Sequence, residues 1–323
     1  MICHYYLTYR CDSRCEFCNI WRDGEFEAGE EASLPVIEKN LSSLAGIGTK
    51  TVNFTGGEPL LRDDLAGILR AAKQRGLLTG LFTGGAGLSK RFPDLKGLID
   101  RLYISLDSPE AKDHDRIRGQ ECFSEALDAV RSAAGGGMKV TINFTVTRNS
   151  IRYLPEMAEI SEREGAVLRI NPVHHFFGLE GFEKITVDYI LRYSGRRHID
   201  VDKALMGLLK EGGNRKDRPA CRALEKVLTI SPDDHLVLPC INAPHARVPI
   251  NGGLDRIWGS DIVSGYRKME GSLEKCEGCC DINYLSPSLH KRRDGSHLLD
   301  RISGCFRGSD RWRGLSGLFH AFF

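Results

Sequence analysis

The eight residues CDSRCEFC, Cys11 to Cys18, follow the apolar run HYYLTY, His4 to Tyr9, after the single residue Arg10, and their reading decides the rest of the chain. Three thiols spaced CxxxCxxC are one short of the four that usually satisfy a structural zinc or a cubane iron–sulfur cluster. Such a site either borrows a distant cysteine or keeps a position open for something that reacts there. The remaining cysteines are also bunched: Cys276, Cys279 and Cys280 lie together far downstream, with Cys221 and Cys240 before them. Bunching of this kind favours metal over simple core packing.

The chain around this stretch has 323 residues, 41% hydrophobic and 27% charged, with a formal net charge of +2. That suits one large or two moderate globular domains. The near balance of charge predicts neither wholesale nucleic-acid binding nor an acidic tail. The opening MICHYYLTYR lacks the apolar segment of a cleavable signal, and no apolar run approaches the roughly 20 residues that span a bilayer. Eleven cysteines without an export signal point to a reducing compartment, so a cytoplasmic location is expected.

Outward from the cysteine stretch, short runs rich in β-branched and aromatic residues alternate with helical patterns. After HYYLTY come Thr51 to Pro59, Leu77 to Gly85, Arg101 to Ser108, Lys139 to Thr147 and Ala166 to Val173. Patterns such as DDLAGILRAAKQRG and FSEALDAVRSAAGGG lie between them and close on glycine, the residue that caps helices most readily. Six strands separated by helices predict βαβ units and a parallel α/β sheet, with chemistry at the C-terminal strand ends. The cysteine stretch, TGGEP and SLD each end a strand, so all three are expected at one mouth. Residues 176–220 read as connecting helices and linker, including EGGNRKDRP, Glu211 to Pro219. Leu228 to Cys240, LTISPDDHLVLPC, reads as a hairpin with a Pro-Asp-Asp turn.

The combination of Cys11, Cys15, Phe17 and Cys18 with Gly56, Gly57, Glu58 and Pro59 resembles the radical SAM superfamily. The resemblance implies a partial (β/α)6 barrel over residues 1–175. It also implies that the open iron of a [4Fe–4S] cluster is chelated by S-adenosylmethionine, which is cleaved to a 5′-deoxyadenosyl radical. A structural zinc site is the alternative. Gly56 and Gly57 are expected to let backbone approach the cosubstrate's amino group, and Glu58 is either a negative partner or a turn residue. Ile104 to Gly119 is similar to the fourth-strand region of members with an additional cluster. That similarity suggests cosubstrate contacts from Ser105 and Arg118, the latter through a planar fork suited to a carboxylate; a simple salt bridge is the competing reading. Asn143 is a ribose or adenine candidate.

The hairpin followed by cysteines resembles the SPASM and twitch extensions of the same superfamily. This implies an auxiliary [4Fe–4S] cluster within residues 221–285, on Cys221, Cys240, Cys276 and Cys279, with Cys280 competing as fourth ligand and zinc as the alternative occupant. Cys3, Cys122 and Cys305 read as buried apolar residues. An auxiliary cluster either accepts an electron, giving a net dehydrogenase-like oxidation, or binds substrate. His174 and His175, after strand six, are candidate bases, with a structural role equally open.

The tail, residues 286–323, carries seven Lys or Arg against three Asp and places aromatic and aliphatic residues at helical spacing. Either it packs on the barrel or it forms a basic amphipathic membrane contact. From these features the expected substrate is a small molecule or lipid-like precursor, with a low-potential donor such as flavodoxin or ferredoxin and no nucleic acid. A ribosomal-peptide maturase is the alternative, weighed down by the short stretch before strand one, and a non-enzymatic iron–sulfur carrier is the third reading.

Overall fold

The computed structural model describes residues 1–22, 24–26, 29–173 and 184–280. The six expected strands are present: β1 Ile2–Thr8, β2 Thr51–Gly56, β3 Leu78–Thr83, β4 Arg101–Ser105, β5 Val140–Val146 and β6 Val167–Pro172. They pair in parallel in sequence order, and the short β7, Ile199–Asp200, continues parallel to β6. The sheet does not close, which makes this a partial (β/α)6 barrel.

Side chains alternate along each strand, and the two faces have different chemistry. Cys3, Tyr5 and Leu7 of β1, Val52 and Phe54 of β2, and Ile142 and Phe144 of β5 are buried in the main apolar core. Helices cover that face. Helix α1, Leu34–Gly46, starts after Ser33 with Pro35 in its first turn, where the missing N–H is harmless. It buries Ile37, Leu41 and Leu44, at helical spacing. The opposite, inner face carries His4 and Tyr6, Asn53 and Thr55, and Ser105 and Asn143. A (β/α)8 barrel normally packs this space with branched apolar residues; polar residues here make it a receptive interior.

The predicted hairpin is β8, Val227–Ile230, and β9, His235–Leu238, followed by β10, Ala246–Pro249. Its turn uses Asp234 at φ 60°, a left-handed position that Asp tolerates. The hairpin also continues the barrel's own sheet, because β8 pairs in parallel with β1. Asn40 of α1 ties the join: its amide donates to the Tyr5 hydroxyl at 3.0 Å and to Asp234 Oδ1 at 2.6 Å. The second cysteine set is thereby carried on the same sheet as the first. Among the described residues no helix is long and apolar enough to cross a membrane. His174, His175, Cys305 and the basic tail lie outside the described residues.

Candidate active site

The loop bearing the cysteine triplet is held from two sides by backbone. On one side Gly57 N–H donates to Thr8 O and Glu58 N–H to Arg10 O, each at 2.8 Å. A Cβ at Gly56 would lie 2.2 Å from Thr8 O, and one at Gly57 would lie 2.1 Å from Arg10 O. Both glycines are therefore required by the backbone that launches the cysteine loop. The close approach expected at these glycines is made by the chain itself.

On the other side the end of helix α4, Ala111–Arg118, meets the loop: Arg14 N–H donates to Arg118 O at 2.7 Å and Glu16 N–H to Ile117 O at 2.9 Å. Gly119 follows at φ 69°, where a Cβ would lie 2.8 Å from that of Arg14. Inside the loop, Cys18 N–H donates to Cys15 O at 3.2 Å, and Trp21 Nε1 donates to the same carbonyl at 3.0 Å. The three motifs that the strand pattern sends to one mouth do meet there.

Glu58 is buried, and its carboxylate is engaged by this turn. Oε1 accepts from Leu60 N–H at 2.9 Å and Thr83 Oγ1 at 2.8 Å, and Oε2 accepts from Gly84 N–H at 2.7 Å. Burial raises its pKa to about 7 against the opposing pull of those three donors. Of the two readings left open for Glu58, the turn-building one has its partners in place.

Arg118 is buried beside the triplet. Its Nη1 donates to Cys15 Sγ at 3.3 Å, and its Nε lies 2.9 Å from Asp107 Oδ2 in an ion pair. Asp107 is wholly buried, and its Oδ1 accepts from Thr145 N–H at 2.8 Å. Behind it His114 Nδ1 accepts from Asp107 N–H at 3.1 Å, which fixes the ring as the tautomer protonated on Nε2, facing Cys122 Sγ at 3.4 Å. Burial first, then the Arg118 charge, depresses His114 to about 4. Sequence reading passed over Asp107 and His114. The signal available was their place in SLD and in the first turns after it, beside Arg118.

Ser105 and Asn143 pair in register on β4 and β5, and Asn171 Nδ2 approaches Asn143 Oδ1 at 3.4 Å. Their strand neighbours Ile104, Ile142 and Phe144 lie in the apolar core, so both belong to the opposite, inner face. Burial raises the Cys11 thiol to about 11 and also raises Cys18. Thiols held this way bind iron as thiolates once a cation offsets their charge. An N–H aimed at Cys15 sulfur is the kind of outer contact that iron–sulfur ligands receive. A cleft of about 530 Å³ opens beside Cys11, walled by Arg14, Trp21 and Arg22, so the site is reached from solvent. The residues fit a cluster with an accessible iron.

The downstream cysteines separate into two groups. Cys240 and Cys276 share one small apolar cluster, against which Cys221 packs. Burial raises the Cys221 thiol well above its usual range, and the neighbouring Cys240 and Cys279 raise it further. Cys280 instead belongs to the main barrel core, and its thiol donates to Gly278 O at 3.2 Å. Cys221, Cys240 and Cys276 thus meet around one apolar cluster, with Cys279 near enough to act on the Cys221 thiol, while Cys280 packs in the main core. Cys3 and Cys122 are buried, as expected, although Cys122 also meets His114.

Comparison with known proteins agrees with this geometry. The family model of the radical SAM superfamily matches residues 5–160. PqqA peptide cyclase of Granulibacter bethesdensis is 29% identical over 302 residues, covering 84% of this chain and 78% of that protein. The PqqA peptide cyclase of Gluconobacter oxydans is 26% identical, covering 84% and 80%. In fold the chain is similar to SuiB of Streptococcus suis. The SuiB structure bound to S-adenosylmethionine matches with a TM-score of 0.68 at 16% identity, over 90% of this chain and 77% of that one. SuiB bound to the precursor peptide SuiA gives 0.67 at 17%, over 94% and 72%. The curated relatives are peptide cyclases, which overturns the expectation of a small-molecule or lipid-like substrate. Signature, cysteine-loop geometry and family match converge: residues 5–160 are a radical SAM domain, and the cofactors of this enzyme are a [4Fe–4S] cluster and S-adenosylmethionine.

Proposed function

We propose that this enzyme modifies a ribosomally made precursor peptide, closing a covalent link within it, and that a second [4Fe–4S] cluster sits on Cys221, Cys240, Cys276 and Cys279. The observation that carries the peptide reading is the reach of the likeness to the PqqA peptide cyclases. It spans 84% of the chain, well beyond residues 5–160, and so includes much of the cysteine-bearing second half. When bound, the first cluster and S-adenosylmethionine supply hydrogen-atom abstraction, while the second cluster supplies an acceptor for the electron released as a second hydrogen departs as a proton.

The chain's own residues have separable tasks in this reading. Arg118 presents its fork toward a carboxylate of the cosubstrate while Asp107 holds it from behind. The polar inner face receives the peptide. Asn53 Oδ1 is buried there without a hydrogen-bond partner among the described residues, and Gly80 leaves it room, since a Cβ at that position would lie 2.4 Å away.

The test is anaerobic turnover of the reconstituted full chain with S-adenosylmethionine, a reductant and a short peptide encoded beside its gene. The expected result is 5′-deoxyadenosine in step with a peptide lighter by two hydrogens. Release of 5′-deoxyadenosine at the peptide-free rate, with every such peptide unchanged in mass, would contradict the reading.

A further inference from the structure

Asn214 lies in EGGNRKDRP, the stretch read from sequence as linker, yet it is 2% exposed and every hydrogen-bonding position of its side chain is used. Its Nδ2 donates to Gly271 O at 2.8 Å and to Cys276 O at 2.9 Å. Its Oδ1 accepts from Ala220 N–H at 3.0 Å and Cys221 N–H at 3.3 Å. Its backbone N–H donates to Cys279 O, and its backbone carbonyl accepts from Gly278 N–H, both at 2.8 Å. One residue that is not a thiol therefore touches the backbone of three of the four gathered cysteines.

Two glycines permit the approach. Gly213, at φ 87°, would place a Cβ 2.1 Å from Gly278 O, and Gly271, at φ 74°, would place one 2.9 Å from the Cys221 Cβ. Loops distant in sequence are thus drawn to contact distance around an uncharged amide. Such an amide can satisfy four backbone groups without adding charge beside buried thiols. The cost of closing these loops is then met by the fold, before any metal ligand bond forms.

We propose that Asn214 is the positioning residue of the second cluster site, holding the loops of Cys221, Cys276 and Cys279 in register so that their thiols meet iron as a preformed set. This rests on the second-cluster reading above. The replacement Asn214→Asp keeps size but sets a carboxylate oxygen against the carbonyls of Gly271 and Cys276, where two N–H bonds had been.

The experiment uses the full chain with Cys11, Cys15 and Cys18 changed to alanine, reconstituted anaerobically, with iron, sulfide and the reduced-state EPR spectrum recorded. With Asn214 intact about four irons per chain are expected; with Asn214→Asp the content falls at least several-fold. A companion Asn214→Asp chain with the triplet intact is expected to keep that triplet's cluster and its EPR signal. Four irons with an unchanged spectrum in the triple variant that also carries Asn214→Asp overturn the proposal. Loss of both clusters in the companion overturns it too, because Asn214 is then a general folding residue. No iron in the triple variant with Asn214 intact defeats the second-cluster reading itself, and the proposal with it.

Discussion

Two turns of nearly the same sequence, CEFC at Cys15 to Cys18 and CEGC at Cys276 to Cys279, have the same backbone hydrogen bond. The last cysteine's N–H donates to the first one's carbonyl at 3.2 Å in both. Their surroundings differ. The first turn lies beside a solvent cleft and under a buried ion pair, Arg118 with Asp107, whose guanidinium reaches Cys15 sulfur. The second lies in a small apolar cluster and is tied by the neutral amide of Asn214. An iron that must bind an anionic, water-borne cosubstrate needs access and positive charge. A cluster that only exchanges electrons needs closure and four thiols. Under the two-cluster proposal, the contrast teaches that one turn serves two uses and the neighbours decide which.

The contrast breaks most sharply at Arg118. Arg118→Gln leaves Asp107 buried without its counter-charge, at a cost of about 3–5 kcal/mol. Urea unfolding should register that loss, and S-adenosylmethionine binding should fall with it. Iron at the second site should stay; its loss would mean that the two sites are coupled rather than separate.

His114 gives a pH signature that belongs to the first site alone. Its folded pKa of about 4 lies below the ordinary 6.5, so the unfolded chain binds the extra proton between those values. Stability from this group is full above pH 6.5 and is lost as pH falls toward 4, by about 3 kcal/mol in total. His114→Gln should flatten that slope relative to the parent. An unchanged slope would remove the buried neutral imidazole from the account.

Matched glycine replacements then compare the two cradles. Gly57→Ala and Gly213→Ala each put a methyl about 2.1 Å from a carbonyl oxygen, and each should cost about 1–3 kcal/mol. Gly57→Ala should lower iron at the triplet alone, and Gly213→Ala at the second site alone. The smallest effect is expected at Cys280→Ala, about 1 kcal/mol of lost packing with full iron at both sites. A drop in iron there would return Cys280 to the ligand set.

Much of the first region was legible from sequence because its determinants are local. The six strands show as short apolar runs, and the cysteine loop and GGEP are contiguous motifs at strand ends. The second region was only partly so. Cys279 and Cys280 are adjacent, and spacing cannot separate neighbours; their packing differs in the fold, with Cys280 in the barrel core. Asn214 looked like linker because its six bonds reach Ala220, Cys221, Gly271, Cys276, Gly278 and Cys279, none of which marks it in the local pattern. Asp107 was hidden for the same reason, its role being set by Arg118 and Thr145 across the fold. The small-molecule or lipid-like expectation failed because no local motif of the chain encodes substrate size, and it was the peptide-cyclase relatives that overturned it.

The most direct test of two distinct sites on one sheet is iron counting by Mössbauer spectroscopy on three reconstituted chains. These are the intact protein, the Cys11, Cys15 and Cys18 alanine variant, and the Cys221, Cys240 and Cys276 alanine variant. The account predicts about eight irons in the first and about four in each of the others, with S-adenosylmethionine perturbing the spectrum only where the triplet is intact. About four irons in the intact chain, all lost with the triplet, would contradict it.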